Sequence, residues 1–358
     1  MVVDYLLHED PRLEDAWGPY YTHEYLTYYA TLPHQWMYDL EPVTLQPNPN
    51  FKDWRIGPKH IDYYKKSAHF ETKLNPDECF DCEIRNGKYS SKPNPELKIE
   101  PWKILFLYCT EPDLHLDCDL NLHWSQKLTK GSHGYRHMEF SLFGKKFGCT
   151  SQCFQYYLSA AERAKSNRNK YWYWRFNSRA THYLADLGHP FHTKTVPYSK
   201  IFKYLGKPKK MMKILSALHS GHEVFTQKRL RDGFLPFKKA IVSGSQDGYE
   251  SNKDLSFKKI EHYRKKSATR LSPIFHTMLE HFGDEFADVY DTDSIPSELK
   301  TLDFSKQTTY LENNAQHFLF SDSSNPGLII LNELTEKALY DVGFMFGLFF
   351  KHIYMTYH

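Results

Sequence analysis

Apolar residues recur at helical spacing along most of this chain, most clearly from residue 209 onward. Strictly alternating apolar and polar positions, which are typical of half-buried strands, are scarce. The predicted helices span about residues 20–31, 101–111, 151–166, 169–187, 209–231, 255–282, 305–319 and 328–355. We therefore predict an all-α fold, a multi-helix bundle whose facing helices can bring polar ligands together in the interior.

The chain divides into an N-terminal extension, residues 1–16, and one predicted α-helical domain, residues 17–358. A proline-rich and irregular stretch at about residues 42–101 is interpreted as a loop-rich insertion into this domain. The part from about residue 232 onward is predicted to be helical.

The longest apolar run covers residues 342–350 and is bounded by Asp341 and Lys351. It is much shorter than the roughly 20 residues that a membrane-spanning helix needs, so it indicates a buried C-terminal helix. Residues 1–16 have neither the basic start nor the apolar centre of a signal peptide. We therefore expect no transmembrane segment and, by default, a cytoplasmic protein.

The composition narrows the functional classes without naming one. Hydrophobic residues make up 41% and charged residues 25%, which is ordinary for a globular protein. The formal net charge of +3 provides no global positive field for nucleic acid. Aromatic residues, at 16%, could stack on bases or meet a lipid surface, but they more often pack the core.

A histidine and a carboxylate, His182 and Asp186, lie one helical turn apart and so share one face of a helix. Gly188 and Pro190 are expected to stop this helix and prevent its resumption, which returns His192 to the same place. This spacing is typical of a metal site.

Pairs of this kind also arise by chance. With 20 histidines and 43 acidic residues in 358 positions, about two pairs are expected. The chain has five: His115/Asp119, His182/Asp186, His219/Glu223, His276/Glu280 and His281/Glu285. The second pair is distinguished by its aromatic lead-in at residues 171–176 and by the returning histidine. Together with His219 and Glu223, it favours a cluster of metals over a single ion.

The run from Thr181 to His192, T-H-Y-L-A-D-L-G-H-P-F-H, resembles the H-Y-[LIF]-[GA]-D-x-x-x-P-x-H core of one superfamily. This superfamily contains the zinc-dependent phospholipases C and the related fungal zinc nucleases that cut single strands. The resemblance implies that His182 and Asp186 bind one zinc and that His192 binds a second. His219 and Glu223 would complete the second site, with the glutamate as in the lipases. Motif-level similarity covers about residues 14–231.

The same resemblance implies two upstream ligands of the first zinc, an acidic residue and a histidine. We assign them to Asp113, which would also bridge or orient the attacking water, and to His137. The substitutes that stay open are Asp117, Asp119 and His133. Arg136 could hold a phosphate oxygen or be an ordinary surface arginine.

A third zinc site is implied by the segment around Trp17 and His23, which resembles the family's N-terminal tryptophan and first-helix histidine. In secreted members, removal of a leader frees the tryptophan's amino group, whereas sixteen residues precede Trp17 here. We therefore expect two zinc ions. Unless Trp17 is exposed, a third ion must use a different ligand set, such as His23 with Asp186 and water, or be absent. The replacement candidates are His8, Glu9 and Asp10.

The six cysteines allow two interpretations. Cys79 and Cys82 could combine with Cys149 and Cys153 in a four-thiolate zinc site, or cysteines could form disulfides. Cysteine usage therefore leaves the compartment open.

The resemblance implies a zinc-dependent phosphodiester hydrolase, phospholipase C-like, acting on a phospholipid head group. A single-strand-specific nuclease is the first alternative, because exchanging aspartate for glutamate keeps the same donor atoms. The second alternative is a non-catalytic, zinc-stabilised helical binding protein. The oligomeric state stays open.

Overall fold

The computed structural model describes residues 22–46, 98–114, 133–142, 144–195, 207–283 and 325–357. Within these ranges most residues are helical and the strands are short, so the all-α prediction is confirmed. The predicted N-terminal extension at residues 1–16 and the predicted helix at residues 305–319 lie outside the described residues.

The helices are α1 (Thr22–Thr31), α2 (Gln35–Tyr38), α3 (Pro101–Leu107), α4 (His133–His137), α5 (Thr150–Ser166), α6 (Lys170–Asp186), α7 (Pro190–Thr193), α8 (Pro208–Arg231), α9 (Leu235–Glu250), α10 (Phe257–Phe282) and α11 (Pro326–Tyr357). A 3-10 turn covers Glu111–Leu114, and the strands are β1 (Val43–Thr44), β2 (Lys98–Ile99), β3 (Glu139–Leu142) and β4 (Lys145–Gly148). β1 pairs with β2 and β3 with β4, both antiparallel, with Val43 opposite Ile99 and Glu139 opposite Gly148.

The predicted insertion at residues 42–101 has paired ends, because β1 near its start lies beside β2 near its end. Its central residues, 47–97, lie outside the described part of the chain. The predicted helix at 101–111 is too long, since α3 already ends at Leu107. It stops before the Glu111–Pro112 step, where the residue ahead of a proline disfavours the α conformation.

Helices α9 and α11 cross at backbone contact, and small residues on both helices permit it. A Cβ atom added to Gly248 of α9 would lie 2.0 Å from the Phe344 carbonyl oxygen. One added to Gly347 of α11 would lie 2.0 Å from the Ser245 carbonyl oxygen. A side chain at either position would collide with backbone, so glycine sets the separation of the two helices.

The apolar run at residues 342–350 lies within α11, and Phe346, Phe349 and Phe350 are fully buried there. The prediction of a buried C-terminal helix is therefore confirmed. Among the described helices, none combines the length and the apolar character that crossing a membrane requires.

His34, beside α2, gives the fold a predicted acid sensitivity. Its Nε2 lies 2.8 Å from the Ser245 hydroxyl, and burial lowers its pKa to about 3. Because its unfolded pKa is about 6.5, the unfolded chain binds the extra proton as the pH falls between these values. We expect His34→Gln, which cannot titrate, to reduce the pH slope of unfolding free energy in this window by up to about 1.4 kcal/mol per pH unit. Urea unfolding at several pH values measures it, and equal slopes for both proteins would contradict it.

Candidate metal centre

Helix α6 carries the central pair of ligand candidates into the interior. The Asn169 side chain caps its start by accepting a hydrogen bond from the Trp172 N–H at 3.0 Å. Every residue from Tyr171 to the helix end is buried. His182 and Asp186 lie one turn apart in the last part of the helix, with 0% and 1% of their surfaces exposed.

The end of α6 differs from the prediction that Gly188 stops the helix and Pro190 prevents its resumption. Pro190 does not block a helix but begins one, because it is the first residue of α7, where its missing N–H costs nothing. Gly188 is required by close packing, since a Cβ there would lie 2.0 Å from the Tyr263 hydroxyl oxygen. The predicted consequence still holds, because α7 carries His192 back toward Asp186.

Asp113 reaches the site from the 3-10 turn, which a buried charge group ties to α6. Within this turn, Glu111 pairs with Arg175 and places its Oε2 atom 2.6 Å from the Arg179 Nε atom. All three side chains are at most 1% exposed. His137 arrives from the end of α4, so residues far apart in the sequence meet at the C-terminal end of α6.

We call the first group of ligand candidates the Asp186 cluster. Its members are His23, Asp113, His137, His182 and Asp186. The His182 Nε2 atom lies 2.9 Å from His137 Nδ1, 3.3 Å from Asp186 Oδ2 and 3.5 Å from Asp113 Oδ1. His137 Nδ1 lies 2.9 Å from Asp186 Oδ2 and 3.6 Å from Asp113 Oδ1.

Three of the five distances between these four atoms match those between ligands of one zinc ion, and the two of 2.9 Å are shorter. With zinc bonds of about 2.0–2.2 Å, tetrahedral ligand atoms lie about 3.3–3.6 Å apart. Hydrogen bonding alone does not explain the crowding, because His137 Nδ1 carries at most one proton and yet faces both His182 Nε2 and Asp186 Oδ2 at 2.9 Å. A shared cation would satisfy all of these lone pairs.

Asp113 and Asp186 also face His23 with their second oxygens. His23 Nε2 lies 3.6 Å from Asp186 Oδ1 and 3.9 Å from Asp113 Oδ2. Each carboxylate thus presents one oxygen to His137 and the other to His23, so a second ion would bind on the His23 side. Among the described residues, that position would have these three protein atoms as ligands.

The second group, the Glu223 cluster, comprises His189, His192, His219 and Glu223. His192 Nε2 lies 2.6 Å from His219 Nε2, and both nitrogens face Glu223 Oε1, at 3.5 Å and 3.1 Å. On its other side, His192 Nδ1 lies 2.9 Å from Asp186 Oδ1. One histidine thus joins the two clusters.

The electrostatics of the joined clusters favour bound cations. Burial alone would raise the pKa of Asp186, but the charges of His182, His192 and His137 hold it well below its usual range. Burial likewise opposes protonation of His192, but the negative charges of Asp186 and Glu223 outweigh it and raise its pKa to about 10. The carboxylates therefore attract positive charge, which protons or metal ions can supply.

The structure brings together the larger part of the predicted ligand set. Those that meet are His23, Asp113, His137, His182, Asp186, His192, His219 and Glu223. Those outside the described residues are Trp17, Asp117, Asp119, His8, Glu9 and Asp10, together with the side chain of His133. Arg136 is fully buried, so its interpretation as an ordinary surface arginine is wrong, and its contact with phosphate stays a prediction.

The structure describes two of the four cysteines of the predicted four-thiolate zinc site. Cys149 and Cys153 are buried, and their sulfur atoms lie 3.8 Å apart, so these two cysteines form no disulfide with each other. Cys79 and Cys82 lie outside the described residues, and the four-thiolate zinc site stays a prediction.

The sequence interpretation missed two residues of the centre. His189 belongs to the Glu223 cluster, and its signal was its position between the stop glycine and Pro190, three residues before His192. Glu111 anchors the turn that carries Asp113, but no local pattern indicated its pairing with two arginines of α6.

Comparison with protein-family models, with curated proteins and with solved structures finds no match to this chain. The resemblance to the zinc phospholipases and nucleases therefore stays a prediction based on motifs. The functional interpretation is therefore based on the geometry of the two clusters.

Proposed function

We propose that this protein is a zinc-dependent phosphodiester hydrolase of the phospholipase C type. The observation that carries the proposal is the pair of joined clusters, in which Asp186 faces His137 and His182 with one oxygen and His192 with the other. Carboxylates shared between imidazole groups are the arrangement that holds several metal ions a few ångströms apart.

The donor set suits zinc. Imidazole nitrogens and carboxylate oxygens are its usual ligands, and the three distances of 3.3 Å, 3.5 Å and 3.6 Å in the Asp186 cluster fit tetrahedral bonds. A buried imidazole atom supports this further, because His189 Nδ1 has no hydrogen-bond partner among the described residues. A lone pair left unsatisfied in the interior is costly unless a ligand takes it.

The solvent exposure of Asp113 supports a hydrolytic role. His182 and Asp186 close its buried side, whereas 36% of the Asp113 side chain is exposed. Bound zinc ions would polarise a phosphoryl oxygen and make water a nucleophile near neutral pH. Asp113 is placed to orient that water or take its proton, and the three-atom position near His23 leaves room for a substrate oxygen.

The proposal is tested by assaying the zinc-loaded protein on three substrates: a phosphatidylcholine analogue, bis-p-nitrophenyl phosphate and single-stranded DNA. We expect head-group release from the lipid and loss of this activity in Asp113→Asn. Preferential cleavage of DNA would instead support the nuclease. Zinc binding without hydrolysis of any of the three would support the zinc-stabilised binding protein.

The third zinc provides a separate prediction, because Trp17 carries an amide where the family uses a free amino group. We expect removal of residues 1–16 to raise the affinity for a third zinc ion and the phosphodiesterase rate together. Zinc titration of the full chain and the shortened chain measures this. If both bind a third ion equally well, Trp17 is not its ligand.

A further inference from the structure

His189 occupies a fixed position at the junction of α6 and α7. Its backbone N–H lies 3.1 Å from the Ala185 oxygen and 3.0 Å from the Asp186 oxygen, and its own carbonyl accepts from the His192 N–H at 3.0 Å. The backbone on both sides of His189 is therefore held by helix-end hydrogen bonds. These bonds fix the position and direction of the Cα–Cβ bond of His189.

The side chain of His189 points into the Glu223 cluster. Its ring centroid lies 4.7 Å from that of His192 and 5.3 Å from that of His219. A ligand atom of His189 lies within 4.8 Å of those offered by His192, His219 and Glu223. These four side chains are thus close enough together to hold one metal ion.

The other face of His189 contacts a chain of polar groups. His189 Nε2 lies 3.1 Å from His222 Nδ1, and His222 Nε2 lies 3.1 Å from the Thr335 hydroxyl of α11. His222 and Thr335 are 2% and 1% exposed. Two hydrogen bonds, the one between His222 and Thr335 fully buried, thus fix the orientation of the His189 ring from behind.

The protons of this chain can be assigned consistently with neutral rings. If His189 donates its Nε2–H to His222 Nδ1, then His222 donates its Nε2–H to the Thr335 oxygen. His189 Nδ1 then carries a lone pair, and this is the buried atom without a hydrogen-bond partner among the described residues. Metal-binding histidines commonly have this arrangement, in which the second ring nitrogen donates to a buried acceptor.

We propose that His189 is a fourth protein ligand of the metal in the Glu223 cluster, binding through Nδ1 and oriented by His222 and Thr335. This inference rests on the metal-binding part of the proposed function and not on hydrolysis. Three nitrogens and one carboxylate oxygen complete a tetrahedral site with no position left for substrate. That ion would join α7 to α8 through four protein ligands, while the three-atom position near His23 would keep room for a substrate oxygen.

The test compares metal-free wild-type protein with His189→Gln during titration with Co²⁺ and Zn²⁺. The glutamine amide can still donate to His222, so a purely structural role would be rescued, whereas a ligand role would not. We expect one ion of His189→Gln to bind at least about 100-fold more weakly, beyond the range of outer-shell changes. The visible spectrum of the cobalt protein should lose the bands of the four-coordinate ion in the Glu223 cluster. The bands of the ion in the Asp186 cluster should remain, because that cluster is unaltered.

Two further variants separate the possible explanations. Thr335→Val removes the end of the polar chain, and we expect it to weaken the same ion by about 10–100-fold. His276→Gln on α10, outside both clusters, should change neither affinity nor spectrum. If His189→Gln fails to fold by circular dichroism, Thr335→Val carries the test.

These measurements distinguish failure of the His189 proposal from failure of the proposed function. Wild-type affinity and an unchanged cobalt spectrum in His189→Gln and Thr335→Val would overturn the role of His189 alone. A wild-type protein that takes up no metal would overturn both proposals. Weakened binding in the variants, combined with no phosphodiesterase activity in the wild type, would support His189 and overturn the hydrolase.

Discussion

Replacing Asp186 with asparagine is expected to remove zinc from the Asp186 cluster and to reduce phosphodiester hydrolysis to background. Asparagine keeps the shape of the side chain but loses the charge that faces His137 and His182 at 2.9 Å and 3.3 Å. It also loses the charge beside His192, so the Glu223 cluster should bind its ion more weakly. The affinity loss should exceed the roughly 100-fold cost of changes outside the ligand shell.

Zinc content after dialysis, together with the hydrolysis rate, measures this effect. His276→Ala is the matched control, because His276 also belongs to a histidine–carboxylate pair at helical spacing but lies outside both clusters. We expect it to keep the wild-type zinc content and rate. Equal losses in both variants would mean that these histidine–carboxylate pairs matter only for folding.

Replacing Glu111 with glutamine is expected to destabilise the protein by about 3–5 kcal/mol. The substitution keeps the volume but removes the buried negative charge that pairs with Arg175 and Arg179. Stacking of the Arg175 guanidinium 4.1 Å from the Tyr108 ring centroid offsets only part of this cost. The loss would be a large share of the 5–15 kcal/mol typical of total stability.

Urea unfolding of the metal-free protein measures this change apart from zinc binding. Glu333→Gln on the exposed face of α11 is the control, and we expect its midpoint to stay within error of wild type. A wild-type midpoint for Glu111→Gln would show that the buried charge group contributes little to the fold.

Local spacing predicted the parts of the centre that lie close together in the sequence. His182 and Asp186 are one turn apart on α6, and His219 and Glu223 are one turn apart on α8, so helix geometry alone aligns each pair. Asp113 and His137 were assigned by motif resemblance, and the structure brings both to His182. Nothing local to either residue specified that meeting.

The features that were missed depend on contacts between distant segments. No predicted helix covered α9, although the part from about residue 232 was predicted to be helical. Gly244 and Gly248 each cost about 1 kcal/mol in helix propensity, which weakens the local pattern of this helix. Its close crossing with α11 overrides that preference. The pairing of Glu111 with α6 is likewise a tertiary contact, invisible in the spacing of residues 101–114.

We propose that distant helices of this chain gather ligands for a cluster of zinc ions. It is tested most directly by the zinc content per chain of the protein refolded with zinc and dialysed, measured by plasma emission. We predict two to three zinc ions for each wild-type chain. Zinc no higher than the buffer background would contradict the account.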